Sequence, residues 1–174
     1  MRGQQLTEGI GPATDADLDG ITAIYNDVIA TSTAVFRDDR VTVEERRAWL
    51  VERRAKGFPV LVAREGGRVT GFGSFGDFRP WPGYRTTVEH TVHVAPDHRR
   101  RGIGGRLVGA LIEEARARDV HVMIAGVVST NEASLALHRR LGFVEVGRLP
   151  EVARKFDGWL ELVLLQLVVD GVRP

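Results

Sequence analysis

The stretch Val92-His-Val-Ala-Pro-Asp-His-Arg-Arg-Arg-Gly-Ile-Gly-Gly-Arg-Leu107 is the most informative part of this sequence. A β-branched run ends at Pro96, three arginines follow, and Gly102, Gly104 and Gly105 open an amphipathic helix. Glycines let backbone N–H groups approach a ligand closely, and a helix N-terminus carries about half a positive charge. Arginines add charge-assisted hydrogen bonds. The stretch is therefore predicted to bind a pyrophosphate group.

Two other phosphate-binding loops do not fit these residues. A Walker A loop ends in Gly-Lys-Ser or Gly-Lys-Thr, which is absent here. A dinucleotide fingerprint requires a third glycine where Leu107 stands, and it does not place three arginines before its first glycine. From the residues of the stretch alone, the alternative to a pyrophosphate site is a solvated basic turn whose glycines only help the helix to begin.

Composition narrows the classes of protein that the chain can belong to. Its 174 residues, 43% of them hydrophobic and without repeats or linkers, fit one domain spanning 1–174. Lys and Arg total 24 against 23 for Asp and Glu, so no global charge attracts nucleic acid or anionic lipid. The absence of cysteine excludes disulfides, thiolate metal sites and an acyl-cysteine intermediate.

The apolar stretches are also short. None approaches the roughly 20 residues that a helix needs to span a bilayer. The first nine residues, Met1 to Gly9, lack the apolar core of a signal peptide. We therefore expect a soluble cytoplasmic protein with neither a membrane nor a nucleic acid as its partner.

Hydrophobic periodicity predicts interleaved helices and strands. Helices are predicted after Thr14, from the Thr42–Glu45 capping box to Gly57, over 103–118 and over 131–140. Strands are predicted over 59–63, 69–75, 86–94, 121–128 and 160–169, with Gly66-Gly67 as a hairpin turn. This order predicts an α/β or α+β domain built on a mixed central β-sheet.

Two motifs carry a resemblance to a known family. Arg99-x-x-Gly102-x-Gly104 resembles the acetyl-CoA loop of the GNAT superfamily of N-acetyltransferases, and Asn131-x-x-Ser134-x-x-x-His138-x-x-Leu-Gly-Phe143 resembles its second signature. The sequence is most similar to the phosphinothricin N-acetyltransferase branch, which includes methionine sulfoximine and methionine sulfone acetyltransferases. The supporting phrases are 31–37, 87–91, 137–143 and 155–159. The resemblance implies a GNAT fold, a mixed sheet flanked by helices, with acetyl-CoA between splayed central strands.

The resemblance also implies where the cofactor lies. Its pantetheine arm would run beside the strand before the loop, held by backbone groups, and its pyrophosphate would meet the loop. Asn131 would touch the arm, with a plain helix cap as the alternative. The implied cofactor-binding residues are Val92, His93, Val94, Arg99, Arg100, Arg101, Gly102, Ile103, Gly104, Gly105 and Asn131.

Two residues are implied to be catalytic. The substrate amine must lose a proton before it attacks a thioester, and Glu89 is the candidate base, directly or through a water. The alternative is that Glu89 pairs with an arginine or holds the substrate ammonium. His138 stands where many relatives carry a tyrosine that protonates the departing thiolate, with a packed bystander as the alternative. A backbone N–H near Val94 would stabilise the oxyanion during direct transfer.

The substrate is implied to be a small amino-acid-like molecule. The loop Asp77–Arg85 carries aromatics and two arginines, and Arg79 can bind an acidic group. A surface turn held by buried aromatics is the alternative. The implied substrate-binding residues are Phe36, Arg79, Pro80, Trp81, Tyr84, Glu89, His90, Thr91 and Val128. The Arg79-Pro-Trp sequence and the phrase 87–91 are nearer the methionine sulfoximine and sulfone relatives.

Three further expectations concern metal, packing and assembly. His90 and His93 are three apart on a strand and face opposite sides, so we expect no metal site. His93 replaces the tyrosine usual in the family, which should alter packing more than cofactor binding. The family is commonly dimeric, and the apolar segment 160–169 is compatible with an interface or with the core.

Other functions stay open on the sequence. Within the superfamily, the alternatives are acetylation of another small amine or of a protein N-terminus, although the arginines of 77–85 argue against a polyamine. Outside it, the alternative is a non-catalytic module that binds coenzyme A or nucleic acid through the arginine run 99–101. The near-neutral charge weakens the nucleic-acid version.

Overall fold

The computed structural model describes residues 9–169, which form seven strands and four helices. Residues 1–8 and 170–174, including most of the segment considered for a signal peptide, lie outside the described part. The strands are β1 (Ile10–Pro12), β2 (Val60–Glu65), β3 (Arg68–Asp77), β4 (Thr87–Val94), β5 (Val122–Val128), β6 (Val144–Lys155) and β7 (Gly158–Val168). The helices are α1 (Leu18–Thr31), α2 (Val43–Ala55), α3 (Ile103–Arg116) and α4 (Glu132–Arg140). No helix within 9–169 combines the length and apolarity required to cross a membrane.

The start of α2 follows the predicted capping box, whereas Thr14 precedes a 3-10 turn and Asp17 is the residue before α1. Ahead of α2, the Glu45 N–H donates to Thr42 Oγ1 at 3.1 Å, and the Thr42 N–H donates to Glu45 Oε2 at 2.7 Å. Ahead of α1, the N–H and hydroxyl of Thr14 both donate to the Asp17 carboxylate, and a short 3-10 turn leads into the helix. Gly57 follows α2 with a φ of +73°, which ends the helix as predicted.

The strands form one mixed sheet in the order β1-β2-β3-β4-β5-β7-β6. Neighbouring strands are antiparallel except for β4 and β5, which are parallel. These two pair only where Thr87–Glu89 meets Val122–Ile124. Beyond that point β4 continues to Val94 and β5 to Val128 without pairing with each other, so the sheet opens at its centre. The predicted mixed sheet with splayed central strands is confirmed.

Helices cover both faces of this sheet. On one face, Leu18 of α1 and Leu50 of α2 pack into a buried cluster with Phe72. On the other, the stripe of α3 that contains Leu107 packs into a second cluster with Phe75. Adjacent residues of a strand point to opposite faces, so the alternate β4 residues Val88, Val92 and Val94 all pack with the second cluster.

Two strands differ from the sequence-based assignment, which missed β1 and β6. Strand β1 has three residues, too few for a periodic pattern. Strand β6 lies at the sheet edge, contains Gly147 and Pro150, and shifts register twice against β7. Bulges break the two-residue alternation, and proline is tolerated at an edge. Helix α3 also ends at Arg116 rather than at the predicted Arg118.

Strand β6 also carries several exposed apolar side chains. The exposed apolar side chains of the β6–β7 hairpin are Val144, Val146, Leu149 and Val152 of β6, Phe156 of the turn and Trp159 of β7. By contrast, Leu160, Val163 and Leu165 of the segment 160–169 are buried. Within this hairpin the exposed apolar side chains therefore lie mostly on β6 and its turn, whereas the segment that the sequence indicated contributes mainly to the core.

Candidate active site

The opening between β4 and β5 forms a cleft of about 860 Å³. The predicted cofactor-binding residues that line it are Val92, His93, Val94, Arg99, Arg100, Gly102, Ile103, Gly104, Gly105 and Asn131. The predicted catalytic and substrate-binding residues that line it are Phe36, Glu89, His90, Thr91, Val128 and His138. The predicted residues outside this lining are Arg79, Pro80, Trp81, Tyr84 and Arg101.

The loop before α3 turns sharply at the mouth of the cleft. Arg100 and Gly102 both have positive φ values, +60° and +77°. A Cβ on Gly102 would meet no atom of residues 9–169 within 4 Å, so this glycine is required by backbone conformation rather than by lack of space. The first amides of α3 have no acceptor within their own helix. They are therefore available to an anion.

Gly104 and Gly105 also make room for a neighbouring helix. Cβ atoms built on them would lie 3.6 and 3.3 Å from the side chain of Leu137 on α4. These glycines thus serve packing as well as the loop. The sequence analysis missed Leu137 as a residue of the cleft lining, although it begins one of the phrases that carried the resemblance.

The arginine side chains of the loop do not all point into the cleft. Arg99 Nη2 donates to the Asp27 carboxylate at 3.2 Å, and Arg101 Nη2 donates to the Glu65 carboxylate at 3.2 Å. Arg99 and Arg100 still line the cleft, whereas Arg101 does not. A pyrophosphate contact from the Arg101 side chain therefore does not fit this geometry.

The hydrogen bonds of β4 identify the backbone groups that face the cleft. The Ala95 N–H donates to the Thr70 carbonyl at 2.9 Å, and antiparallel neighbours alternate between bonded and non-bonded pairs. Val92 and Val94 therefore direct their N–H and C=O groups away from β3, toward the cleft. His93 directs its backbone to β3, so the prediction that its backbone holds the cofactor arm does not fit the register.

Glu89 lies on β4 where the strands begin to separate. Its Oε1 is 3.2 Å from the position that a Cβ on Gly126 would occupy, so the glycine on β5 leaves space for the carboxylate. Partial burial raises the pKa of Glu89 above the ordinary glutamate value, and the positive charge of Arg79 opposes that rise. A carboxyl group with a raised pKa is a stronger base, which suits proton abstraction.

His90 and His138 form a buried pair that the sequence analysis missed. His138 Nδ1 lies 2.7 Å from the Ser134 carbonyl oxygen, which can only accept, so Nδ1 carries the hydrogen. In the neutral ring, His138 Nε2 is then the acceptor for His90 Nε2, 3.1 Å away. Burial, and secondly the neighbouring His138, lowers the pKa of His90 to about 3. Burial also lowers the pKa of His138, although the hydrogen bond to the Ser134 backbone opposes that shift.

His93 packs on the opposite face of β4. Its ring lies 5.6 Å from that of Tyr25 and 5.4 Å from that of Phe72, centroid to centroid. Burial, then the charges of Arg46 and Arg99, lowers its pKa to about 4. His90 and His93 thus face opposite sides as predicted. Within 9–169, no group of three or more potential metal ligands is found.

The predicted substrate loop, residues 77–85, is largely exposed beside the cleft. Trp81 is 70% exposed and Tyr84 is exposed too, which contradicts the alternative of a turn held by buried aromatics. Cζ of Arg79 lies 5.0 Å from the centre of the Phe78 ring. The Phe78 and Tyr84 rings meet edge to face, with 5.7 Å between their centroids. Since the charge of Arg79 acts on Glu89, Arg79 is the loop residue with an electrostatic link to the cleft.

Asn131 combines the two roles considered for it. Its Oδ1 accepts a hydrogen bond from the Ser134 N–H at 3.1 Å, which caps α4, and the residue also lines the cleft. The cap is confirmed, and contact with a cofactor stays a prediction. Ala34 lines the cleft as well, together with Phe36. The sequence analysis missed Ala34, although it lies within the phrase 31–37.

Comparison with known proteins identifies the family. The chain matches the model of the acetyltransferase (GNAT) family over residues 21–143. The protein belongs to the GNAT family. It is 47% identical over 169 residues to the L-methionine sulfoximine/L-methionine sulfone acetyltransferase of Pseudomonas aeruginosa, covering 97% of this chain and 98% of the relative.

Two solved GNAT structures are similar over most of their length. An acetyltransferase from Salmonella typhimurium, solved with its cofactor acetyl-CoA, has a TM-score of 0.92 and 44% identity, with 95% of each chain covered. The ribosomal-protein-alanine N-acetyltransferase of Brucella melitensis has a TM-score of 0.90 and 48% identity, covering 91% of this chain and 98% of the other. The GNAT fold predicted from the sequence is confirmed.

Proposed function

We propose that this GNAT enzyme transfers the acetyl group of acetyl-CoA to the amino group of a small amino-acid analogue, such as methionine sulfoximine, methionine sulfone or phosphinothricin. One observation carries the proposal: the separation of β4 from β5 brings the glycine loop and the Glu89 carboxylate to one cleft. The name of the 47% identical Pseudomonas relative supports the substrate class.

Acetyl-CoA fits the residues present. The outward backbone groups of Val92 and Val94 can bond an extended pantetheine arm, because β5 has left that edge unpaired. The positive φ of Gly102 and the first amides of α3 suit its pyrophosphate. When bound there, acetyl-CoA supplies an activated acetyl thioester. The cleft-facing N–H of Val94 is the candidate donor to the developing oxyanion.

Glu89 is proposed as the general base. It removes a proton from the substrate ammonium, directly or through a water, so that the amine can attack. The space opposite Gly126 and the raised pKa both suit this role. Arg79, whose charge reaches Glu89, is proposed to bind the acidic end of the substrate. The proposed transfer is direct, from acetyl-CoA to the amine, which agrees with the absence of cysteine from the sequence.

For His138 we favour the packed role over that of the proton donor. A donor to the departing thiolate needs an N–H directed at the sulfur. In neutral His138 the one N–H is bonded to the Ser134 carbonyl, and Nε2 accepts from His90. The low pKa of both rings keeps them neutral near pH 7.

A second candidate function is acetylation of a protein N-terminus. The observation in its favour is the name of the 48% identical Brucella protein, a ribosomal-protein-alanine N-acetyltransferase. A peptide amine would enter the same cleft and meet the same base. The two candidates differ in the acceptor alone, so one assay with two sets of acceptors separates them.

We further propose a cytoplasmic homodimer. The exposed apolar residues of β6 and its turn are suited to contact with a second copy of the chain, because exposed apolar patches commonly mark interfaces. Sedimentation should give a dimer mass that Val146→Glu reduces to the monomer mass. A monomeric native protein would contradict the assembly without touching the activity.

The activity is tested by titration followed by turnover. Calorimetry should first detect acetyl-CoA binding, and a thiol reagent should then detect release of free CoA when methionine sulfoximine, methionine sulfone or phosphinothricin is added. The acceptors for the second candidate are peptides with an N-terminal alanine, and mass spectrometry detects their acetylation. Binding without CoA release from any acceptor would leave a non-catalytic module, and release with peptides alone would select the second candidate.

A further inference from the structure

Lys155 is a buried lysine whose hydrogen bonds, among residues 9–169, all go to backbone carbonyls, and its Nζ lies 5.0 Å from the centre of the Phe156 ring. It is 4% exposed at the end of β6, and its Nζ donates to the carbonyls of Ile29, Ser32 and Val35 at 2.7, 2.8 and 2.8 Å. An ammonium has three N–H donors, so all three are used. Burial lowers the pKa of Lys155, and the charge of Asp38 opposes that shift.

The residue type matches this arrangement. Lys56 and Lys155 are the only lysines among the 24 basic residues of the sequence. A compact ammonium can direct three hydrogen bonds to three converging carbonyls, whereas the planar guanidinium of arginine cannot. The Ile29 carbonyl lies in the last turn of α1, where a positive charge is also favourable.

The segment held in this way forms part of the cleft. Residues 32–36 follow α1, and both Ala34 and Phe36 line the opening between β4 and β5. A second hollow of about 540 Å³ lies between 31–34 and Val92–Val94, next to Asn131. Lys155 lies in the β6–β7 hairpin, more than 100 residues later in the chain. Two of its acceptors, the carbonyls of Ile29 and Val35, flank residues 30–34.

We propose that Lys155 is a positioning residue that holds 32–36 as the wall of the cleft on the acceptor side. This inference rests on the proposed acetyl transfer. Loss of the ammonium would leave three carbonyls without their donor and free the segment from β6, while the glycine loop and Glu89 lie on other elements. Phe36 of the segment is a predicted acceptor contact, whereas the backbone groups proposed for the cofactor belong to β4 and α3, which Lys155 does not hold. The affinity for the acceptor should therefore suffer more than chemistry or cofactor binding.

The test compares Lys155→Met with Lys56→Met, a control at the exposed lysine that pairs with Glu52 and Asp77. At saturating acetyl-CoA, Lys155→Met should raise the KM for the acceptor at least tenfold and change kcat by less than threefold. The Kd for acetyl-CoA should change by less than threefold. Hydrogen exchange, followed by mass spectrometry, should speed up at least tenfold over 32–37 and stay unchanged over α3.

Two outcomes would overturn the inference. One is a Lys155→Met enzyme with unchanged KM and unchanged exchange over 32–37; the other is a loss confined to kcat. If the variant does not fold, an amine-acylating reagent on the native protein decides, because Lys56 should react at least tenfold faster than Lys155. Equal reactivity would exclude the proposed contacts. Hydrogen exchange and lysine labelling do not depend on turnover. They therefore test the contacts of Lys155 even if the wild-type enzyme acetylates none of the acceptors.

Discussion

Glu89 and His90 are adjacent on β4, yet their environments are opposite. Glu89 is accessible through the cleft, with a glycine facing its carboxylate and a pKa above the ordinary value. His90 points to the other face, where it is buried against His138 and has a pKa of about 3. One strand therefore presents a base to the substrate and a neutral ring to the core.

The difference shows that burial alone does not make a residue catalytic. In Glu89, burial raises the pKa toward the value that a base needs, and the group keeps access to a ligand. In His90, burial keeps the ring uncharged and leaves Nδ1 buried without a hydrogen-bond partner among the described atoms. Both residues line the cleft, but the side chain of Glu89 is exposed and that of His90 is buried, so variants on the two faces should differ accordingly.

The largest effect is expected for Glu89→Gln. Because the amide cannot accept the ammonium proton, kcat/KM near neutral pH should fall by about 100-fold or more. The acid limb of the wild-type pH–rate profile should lie above the pKa of a free glutamate, since partial burial raises the pKa of Glu89 and its base form is lost as pH falls through that raised value. Steady-state assays from pH 5 to 9 measure both.

The acetyl-CoA affinity of Glu89→Gln provides the control for this prediction. Calorimetry should return the wild-type Kd, because the cofactor is expected to bind the loop and backbone groups rather than the carboxylate. An unchanged pH–rate profile in a folded variant that binds acetyl-CoA would show that another group removes the proton.

An intermediate effect is expected for Gly126→Ala. The added Cβ would lie 3.2 Å from Glu89 Oε1, so the carboxylate must shift by a few tenths of an ångström. A base displaced from its position should lower kcat about tenfold. Gly147→Ala is the matched control, since a Cβ there meets nothing within 4 Å in the part of the chain that the structure describes. Equal kcat values for the two variants would show that the carboxylate position at Gly126 is unimportant.

The sequence predicted the features that depend on nearby residues. The capping box of α2, the glycine turn before α3 and the strand that carries Glu89 each follow from short-range patterns, and the structure confirms them. The central splay was expected from the family resemblance rather than from periodicity. Strand β6 was missed because its bulges and Pro150 remove the alternation on which the prediction depended.

Contacts between distant segments could not be predicted in the same way. His90 and His138 are 48 residues apart, and Lys155 is 126 residues from Ile29. No local pattern encodes such pairs, since burial and register fix them only once the sheet has formed. The same holds for Arg101, whose place in a basic run indicated a phosphate ligand while its side chain pairs with Glu65.

The smallest catalytic effect is expected for His138→Gln. If the ring is a neutral, packed group, kcat should fall by less than tenfold, because no proton is taken from it. Stability should fall by about 1–3 kcal/mol, since the buried bond to the Ser134 carbonyl and the contact with His90 are disturbed. Thermal unfolding and saturated turnover measure the two separately. A folded variant that binds acetyl-CoA normally but loses 100-fold or more in kcat would instead assign the thiolate proton to His138, and both faces of β4 would then serve the chemistry.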